Sequence, residues 1–231
     1  MLKRSLWLIL LIPIFFGFSS FIDSKDWGYV RDVTYGIGHN DSINCSAVKI
    51  ASDQLLTAAH CVTNTEGIVA FDVFDGKKHV GTAMVVRVSN ASDLALLYIV
   101  QGVPGKYAFV ASPEALRDEI VVAVGYPLGF NIEVATEGVL QGLEEAPDGI
   151  HYLISSAPVT FGNSGGGIFV YRWGSGWSLI GIASSVANEG WGPYNHLSFY
   201  VTTKEIKEFL SGTEKAPERP GDKKAAQPLQ P

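Results

Sequence analysis

Between about residues 27 and 210, the chain consists of short apolar or alternating runs separated by turn residues. IVAFDVF and KHVGTAMVVRV are examples in the first half, and EIVVAVGYPL and WSLIGIASSV in the second. The dipeptide Asp75-Gly76 lies between two such runs and predicts a hairpin turn. Regular short strands with turn signals between them are typical of an all-β sandwich or barrel.

A looser stretch, GVPGKYAFVASPEALRDE, divides these runs into two groups. We therefore predict two small β-domains, about 27–112 and about 113–202, with a binding cleft at their seam. The segment TTKEIKEFL alone has helical spacing, because Ile206, Phe209 and Leu210 would share one face. It predicts a short C-terminal helix over 203–210, capped by Thr203.

Both ends of the chain differ from this middle part. In residues 1–26, Lys3 and Arg4 precede an apolar stretch, which is the layout of a secretory signal. The uncharged run 5–22 also reaches the lower limit of a membrane span, about 17 residues, so an uncleaved membrane anchor is the alternative. Both interpretations export the domain. Residues 211–231 are rich in Pro, Lys and Glu, which predicts a disordered tail.

Composition and charge narrow the classes of function. Hydrophobic residues make up 47% of the chain and charged residues 17%, which fits a globular domain with one strongly hydrophobic segment. The formal net charge of -6 argues against nucleic acid as a partner. No Cys/His cluster has metal-ligand spacing, so we predict neither a metal site nor a cofactor.

The two cysteines, Cys45 and Cys61, are informative because the domain is expected to be exported. In an oxidising compartment they can pair, and closing a loop of this length would stabilise the fold by roughly 3 kcal/mol. The alternative is two buried free thiols. Export favours the disulfide.

Three residues are candidates for nucleophilic chemistry. Ser164 lies among glycines in TFGNSGGG, and a serine hydroxyl becomes a good nucleophile only when a base takes its proton. Of the five histidines, His60 in LLTAAHC ends an apolar run, and Asp93 directly precedes the apolar run LALLYIV. Taken singly, they also fit an idle serine in a glycine-rich hairpin, a core histidine and a turn aspartate.

Taken together, TAAHC, SDLALL and GNSGGG occur in the order His, Asp, Ser. They resemble the trypsin-like (chymotrypsin-fold) serine proteases over roughly residues 30–210. The resemblance implies two six-stranded antiparallel β-barrels with the active site in the cleft between them. It implies that His60 is the general base, Asp93 its orienting carboxylate and Ser164 the nucleophile. The N–H groups of Gly162 and Ser164 would form the oxyanion hole.

Further details point to one branch of this family. GNSGG and the short separation between His60 and Asp93 resemble the bacterial high-temperature-requirement branch, and a bridge like Cys45–Cys61 is common in the family. Asn163 stands where digestive members have an Asp, and no activation site is evident, which implies an enzyme made without a zymogen step. The short sequence after residue 210 leads us to expect no PDZ domain.

The resemblance also indicates where substrate specificity is determined. Members that cut after Lys or Arg carry an Asp six residues before the serine, where this chain has Pro158, and Ala183 stands where Glu-specific members carry a His. We therefore predict a preference for small or medium apolar residues. Main-chain groups of residues 184–186 could pair with substrate as an added strand. The candidate substrate-binding residues are Pro158, Val159, Thr160, Ser184, Ser185 and Val186.

The hypothesis that follows is an exported serine endopeptidase, secreted or periplasmic, that cleaves polypeptide substrates through an acyl-enzyme. One alternative is a catalytically silent protease fold that binds peptides, against which the presence of all three candidate residues argues. Another is an assembly protein tethered to a membrane through residues 5–22. The mature N-terminus distinguishes a secreted from a tethered protein.

Overall fold

The structure is a computed structural model, and it describes residues 26–63, 70–111, 116–146, 149–184 and 197–213. Within these residues the chain forms two closed six-stranded antiparallel barrels followed by a helix, which confirms the predicted fold class. Most of the predicted signal or anchor and most of the predicted tail lie outside the described residues. No helix of the described part is long and apolar enough to cross a membrane.

The first barrel has the strand order β1-β2-β3-β6-β5-β4 and closes through the pairing of β1 with β4. Alternate side chains face its interior, as the period-2 pattern predicts, and Ile37, Leu55 and Leu97 are fully buried there. Gly76, at a φ of 58°, lies in the predicted hairpin turn. The strands are β1 (Thr34–His39), β2 (Ser42–Ala51), β3 (Gln54–Thr57), β4 (Ala70–Asp75), β5 (Lys78–Ser89) and β6 (Leu94–Gln101).

The second barrel repeats this arrangement, with the order β10-β11-β12-β9-β8-β7 and closure through β7 and β10. Val121, Ile168 and Ile180 are fully buried in its interior. The strands are β7 (Ile120–Gly125), β8 (Val134–Glu145), β9 (His151–Ser155), β10 (Gly167–Arg172), β11 (Gly176–Ala183) and β12 (Ser198–Thr202).

A third apolar cluster joins the two barrels. Val48, Leu56 and Leu94 of the first barrel pack in one cluster with side chains of the second barrel, such as Val122 and Phe169. Lys49 adds a polar clamp, because its buried ammonium donates to the backbone oxygen of Val103 (2.7 Å) in the segment between the barrels. Burial lowers the pKa of Lys49. Together these contacts hold the barrels in one arrangement.

The helices are α1 (Gly28–Asp32), α2 (His60–Thr63) and α3 (Thr203–Ser211). The sequence predicted only α3, so the prediction of a single helical segment is wrong. The sequence did not reveal α1 and α2 because they are too short to show a 3.6-residue period. The cap of α3 is also corrected: Thr202, not Thr203, accepts the N–H of Glu205 (3.3 Å). Ile206 and Phe209 are fully buried, as their spacing predicted.

Candidate active site

The first barrel brings His60 and Asp93 together. His60 begins α2 just after β3, Asp93 directly precedes β6, and these strands are hydrogen-bonded neighbours in which Thr57 pairs with Ala95. Nδ1 of His60 lies 3.0 Å from each carboxylate oxygen of Asp93, and the backbone N–H of His60 donates to Oδ1 of Asp93 (3.0 Å). Two nitrogen atoms of His60, one in the ring and one in the backbone, thus contact the carboxylate and fix its orientation relative to the ring.

Asp93 is buried, with 3% of its surface exposed, and its carboxylate is surrounded by donors. Besides His60, the hydroxyl of Ser184 donates to Oδ2 (2.5 Å). These donors hold the carboxylate in one orientation. Asp93 has a φ of 50°, a left-handed conformation that Asp tolerates better than most residues do.

The contact between Ser184 and Asp93 was not predicted. The sequence placed Ser184 among the substrate-binding residues, whereas its hydroxyl binds Asp93 and its N–H donates to the backbone oxygen of Phe199 (3.2 Å). We still predict that the backbone carbonyl of Ser184 pairs with substrate as part of an added strand. No local signal reveals this contact, because the two residues are 91 positions apart in the chain.

Ser164 lies in the loop between β9 and β10, where two glycines have positive φ. Gly162 has a φ of 90° and Gly165 a φ of 82°. A Cβ on Gly162 would lie 2.4 Å from the backbone oxygen of Tyr126, and one on Gly165 would lie 2.1 Å from that of Ser46. Both positions therefore require glycine for conformation and for space.

The Ser164 loop is bound to both barrels. The backbone oxygen of Ser164 accepts the N–H of Ser46 (2.8 Å) and contacts Sγ of Cys61 (3.6 Å), the residue after His60. On the other side, the N–H of Gly165 donates to the backbone oxygen of Ala183 (2.9 Å). The loop therefore lies beside the His60–Asp93 pair, so Ser164 is close to the other two candidate residues.

Some N–H groups in this loop are paired and others are not. Those of Asn163, Gly165 and Gly166 donate to backbone oxygens at 2.8 to 3.0 Å. Within the described parts of the chain, those of Gly162 and Ser164 have no acceptor. Unpaired backbone donors in a half-buried loop are able to bind an external oxygen atom.

A one-turn 3₁₀ helix, Pro127–Gly129, lies against the same loop. The N–H of Leu128 donates to the backbone oxygen of Phe161 (2.7 Å), and Leu128 itself has a φ of 56°. The preceding residue, Tyr126, is buried, and its hydroxyl accepts the N–H of Gly76 (3.0 Å). Burial raises the pKa of Tyr126, so this phenol stays neutral.

The residues predicted to bind substrate are only partly described. Pro158 and Thr160 are exposed, and Val159 is half-buried against the core of the second barrel. Ser185 and Val186 lie outside the described residues.

The predicted disulfide between Cys45 and Cys61 is present and links β2 to α2 beside His60. A ring nitrogen of His60 and the two sulfur atoms lie within 4.8 Å of one another. Bonded to each other, the sulfurs offer no thiolate, which is the form of cysteine that binds metal ions. A cavity of about 260 Å³ adjoins the disulfide and is also lined by His39 and Phe71.

Comparison with known proteins places these features in a family. The model of the trypsin-like peptidase domain matches residues 45–182. The serine protease HTRA2, mitochondrial, of Drosophila persimilis is 33% identical over 175 residues, covering 71% of this chain and 37% of that protein. The protein of the same name from Drosophila ananassae is 31% identical over 173 residues, with the same coverage. The chain thus spans just over a third of the length of these relatives.

Solved structures show the same fold. The inactive form of the Rv3671c protease has a TM-score of 0.65 at 22% identity, covering 82% of this chain and 92% of that chain. Its active form from M. tuberculosis has a TM-score of 0.63 at 21% identity, covering 82% and 84%. Since the family model covers more than half of the sequence and the fold agrees, this chain belongs to the trypsin-like peptidase family, and its sequence relatives are HtrA-type serine proteases.

Proposed function

We propose that the protein is an exported serine endopeptidase in which Ser164, His60 and Asp93 act as a catalytic triad. The observation that carries this proposal is the buried carboxylate of Asp93, 3.0 Å from Nδ1 of His60, beside the loop of Ser164. A carboxylate in this position keeps the proton on Nδ1 and leaves Nε2 as the base. The chain thus has the parts that turn a serine hydroxyl into a nucleophile.

In the proposed mechanism, Oγ of Ser164 attacks the scissile carbonyl while Nε2 of His60 takes the hydroxyl proton. Asp93 stabilises the imidazolium that forms. The negative oxygen of the tetrahedral intermediate accepts the N–H groups of Gly162 and Ser164. His60 then protonates the leaving amine. A water molecule, activated by the same imidazole, hydrolyses the acyl-enzyme and frees Ser164 for the next cycle.

The proposed substrates are polypeptides cleaved after small or medium apolar residues. Pro158 stands where Lys- and Arg-specific members of the family carry an Asp, and it has no charge that would pair with a cationic side chain of the substrate. Ala183, at the position of the Glu-specific histidine, is buried and apolar. Cleavage of a peptide library by the full chain, with the products sequenced, tests this preference, and a dominant cut after Lys, Arg or Glu contradicts it.

Export to an extracytoplasmic compartment is the remaining part of the proposal. The apolar N-terminal segment and the Cys45–Cys61 disulfide both support it, because structural disulfides persist in oxidising compartments. A catalytically silent, peptide-binding role is not favoured, since none of the three candidate residues is replaced. Mass-spectrometric mapping of the mature N-terminus distinguishes a secreted protein, starting near Ser20, from a tethered one.

The first test is labelling of the full chain with a fluorophosphonate probe, followed in parallel with casein cleavage. We expect the parent to be labelled and active, and Ser164→Ala and His60→Ala to lose both properties. Ser175→Ala, which changes an exposed serine in the turn between β10 and β11, is the matched control and should behave like the parent. A well-folded parent that is neither labelled nor active would contradict the proposed function.

A further inference from the structure

We propose that Ser46 is a positioning residue whose hydroxyl holds the oxyanion hole in its working orientation. This inference rests on the proposed function, because it concerns the N–H groups of Gly162 and Ser164. Ser46 lies on β2 in the first barrel, whereas the loop that it touches belongs to the second. Neither the sequence motifs nor the triad geometry assigns it a role.

Ser46 is fully buried, and all of its polar groups are bonded. Its hydroxyl donates to the backbone oxygen of Gly162 (2.8 Å) and accepts the N–H of Tyr126 (2.8 Å). Its own N–H donates to the backbone oxygen of Ser164 (2.8 Å), and its carbonyl accepts the hydroxyl of Thr57 (2.6 Å). One residue thus binds the carbonyls of both proposed oxyanion-hole residues.

These bonds matter because each peptide group is planar, with its C=O and N–H pointing in opposite directions. Four successive peptide planes run from Phe161 to Gly165, and a hydrogen bond to the carbonyl of each one sets its orientation. Backbone N–H groups bind the first, third and fourth carbonyls: Leu128 binds that of Phe161, Gly166 that of Asn163 and Ser46 that of Ser164. The hydroxyl of Ser46 binds the second, that of Gly162.

The second plane is therefore the one that a side chain holds, and it begins at Gly162. Gly162 has a φ of 90° and no Cβ, so sterics alone do not restrict rotation about its backbone bonds. The N–H groups of Gly162 and Ser164 belong to the first and third planes, so the second plane links them. A rotation about the N–Cα bond of Gly162 that releases its carbonyl also turns the N–H of Ser164 relative to that of Gly162, and both must point at the developing oxyanion. Tyr126 and the Gly162 carbonyl share one hydroxyl, so the loop is also coupled to the 3₁₀ turn next to it.

The test compares Ser46→Ala with Thr34→Val in the full chain. Thr34 is buried on β1, and its hydroxyl donates to one backbone oxygen, that of Val30 (2.8 Å), so both changes remove a buried donor. We expect similar decreases in melting temperature. Removal of an oxyanion donor typically lowers kcat by 10² to 10³, and we expect about 10- to 100-fold for misorienting one. Thr34→Val should keep the parental kcat.

Three readouts separate positioning from a loss of structure. KM should change little in Ser46→Ala, and the pH profile of kcat should keep its shape, because His60 and Asp93 are untouched. The rate of fluorophosphonate labelling should fall in step with kcat, since the probe places an oxygen in the same hole. Ser46→Thr keeps the hydroxyl, so its kcat should exceed that of Ser46→Ala, although its added methyl group must fit at a fully buried position and lowers the melting temperature.

Several outcomes would overturn the role of Ser46. They are a parental kcat in Ser46→Ala, an equal loss of kcat in Thr34→Val, a shifted pH profile, and a Ser46→Thr variant no more active than Ser46→Ala. Failure of the proposed function looks different, because the parent itself would then neither be labelled nor cleave casein. In that case the inference fails together with the function on which it rests.

Discussion

The two barrels contribute to the candidate site in different ways. The first barrel supplies two side chains, His60 and Asp93, joined by hydrogen bonds between side chains and by a backbone N–H. The second supplies Ser164 on a loop whose shape depends on glycines with positive φ and on hydrogen bonds between backbone groups. The geometry of the first half depends on particular side chains, whereas the geometry of the second depends on glycines, which have no side chain.

This difference determines how each half should fail. The half in the first barrel should be sensitive to the chemistry of its side chains and tolerant of small changes in shape around them. The half in the second barrel should be sensitive to added atoms and to lost backbone donors and, apart from Ser164 itself, tolerant of changes in side-chain identity. Four substitutions test this division, in order of decreasing effect on kcat.

The largest effect is expected for Asp93→Asn, which changes chemistry and almost no volume. We expect kcat to fall by about 10⁴-fold, because an amide in this position favours the wrong tautomer of His60. Peptide hydrolysis and the melting temperature should be measured together. Asp72→Asn is the matched control, since Asp72 lies 3.4 Å from His79 in a second and more exposed Asp–His pair. A kcat loss under tenfold in Asp93→Asn, or an equal loss in Asp72→Asn, would contradict the assignment.

Gly162→Ala tests the half that depends on backbone. Its Cβ would lie 2.4 Å from the backbone oxygen of Tyr126, so the loop must move and carry the N–H of residue 162 with it. We expect kcat to fall by about 10² to 10³, the loss typical of one oxyanion donor. Gly174 has a similar φ, 82°, with open space around it, so Gly174→Ala carries the conformational cost without the clash. If both variants keep the parental kcat, this loop does not stabilise the transition state.

The same division explains what the sequence was able to predict. The strand pattern led to two β-domains because alternation survives in short strands, and the motifs around His60, Asp93 and Ser164 led to the candidate site. Glycine spacing also indicated a special backbone around Ser164. These signals are local: each lies within a few residues of the feature that it predicts.

The supporting contacts could not be predicted, because they join residues far apart in the chain. Ser184 is 91 positions from Asp93, and Ser46 is 116 positions from Gly162. A buried serine in a strand usually indicates no more than a satisfied hydroxyl. Only the closure of both barrels and their packing against each other bring these hydroxyls to the site.

Ser184→Ala sharpens the comparison, because it removes a second-barrel side chain that acts on the first-barrel half. The hydroxyl of Ser184 donates to Oδ2 of Asp93 (2.5 Å), and hydrogen bonds to charged groups contribute about 1.5–3 kcal/mol. His60 still holds the carboxylate, so only part of this free energy should be lost from transition-state stabilisation. We expect kcat to fall about tenfold. Steady-state kinetics with a peptide substrate measure it. Ser178→Ala, at a buried serine of β11, the strand that ends just before Ser184, should leave kcat unchanged. A similar loss there would show that Ser184 acts only through packing.

Leu128→Gly should have the smallest effect, although it removes a large side chain beside the Ser164 loop. The functional group of Leu128 is its N–H, which binds the backbone oxygen of Phe161 and so sets the direction of the Gly162 N–H. Leu128 is 60% exposed, so little burial is lost. Its φ of 56° costs a non-glycine residue about 1–2 kcal/mol, which glycine relieves while it adds entropy to the unfolded chain. Melting temperature and kcat should therefore both stay close to those of the parent.

The contrasting variant is Leu128→Pro, which removes the N–H and requires a φ near −65° that this turn does not allow. We expect it to lose kcat as Gly162→Ala does, since the Phe161–Gly162 peptide plane would no longer be held. If Leu128→Gly lost as much activity as Leu128→Pro, the leucine side chain would be part of the site. The Ser164 loop would then depend on a side chain as well as on backbone groups, which contradicts the proposed difference between the two halves of the site.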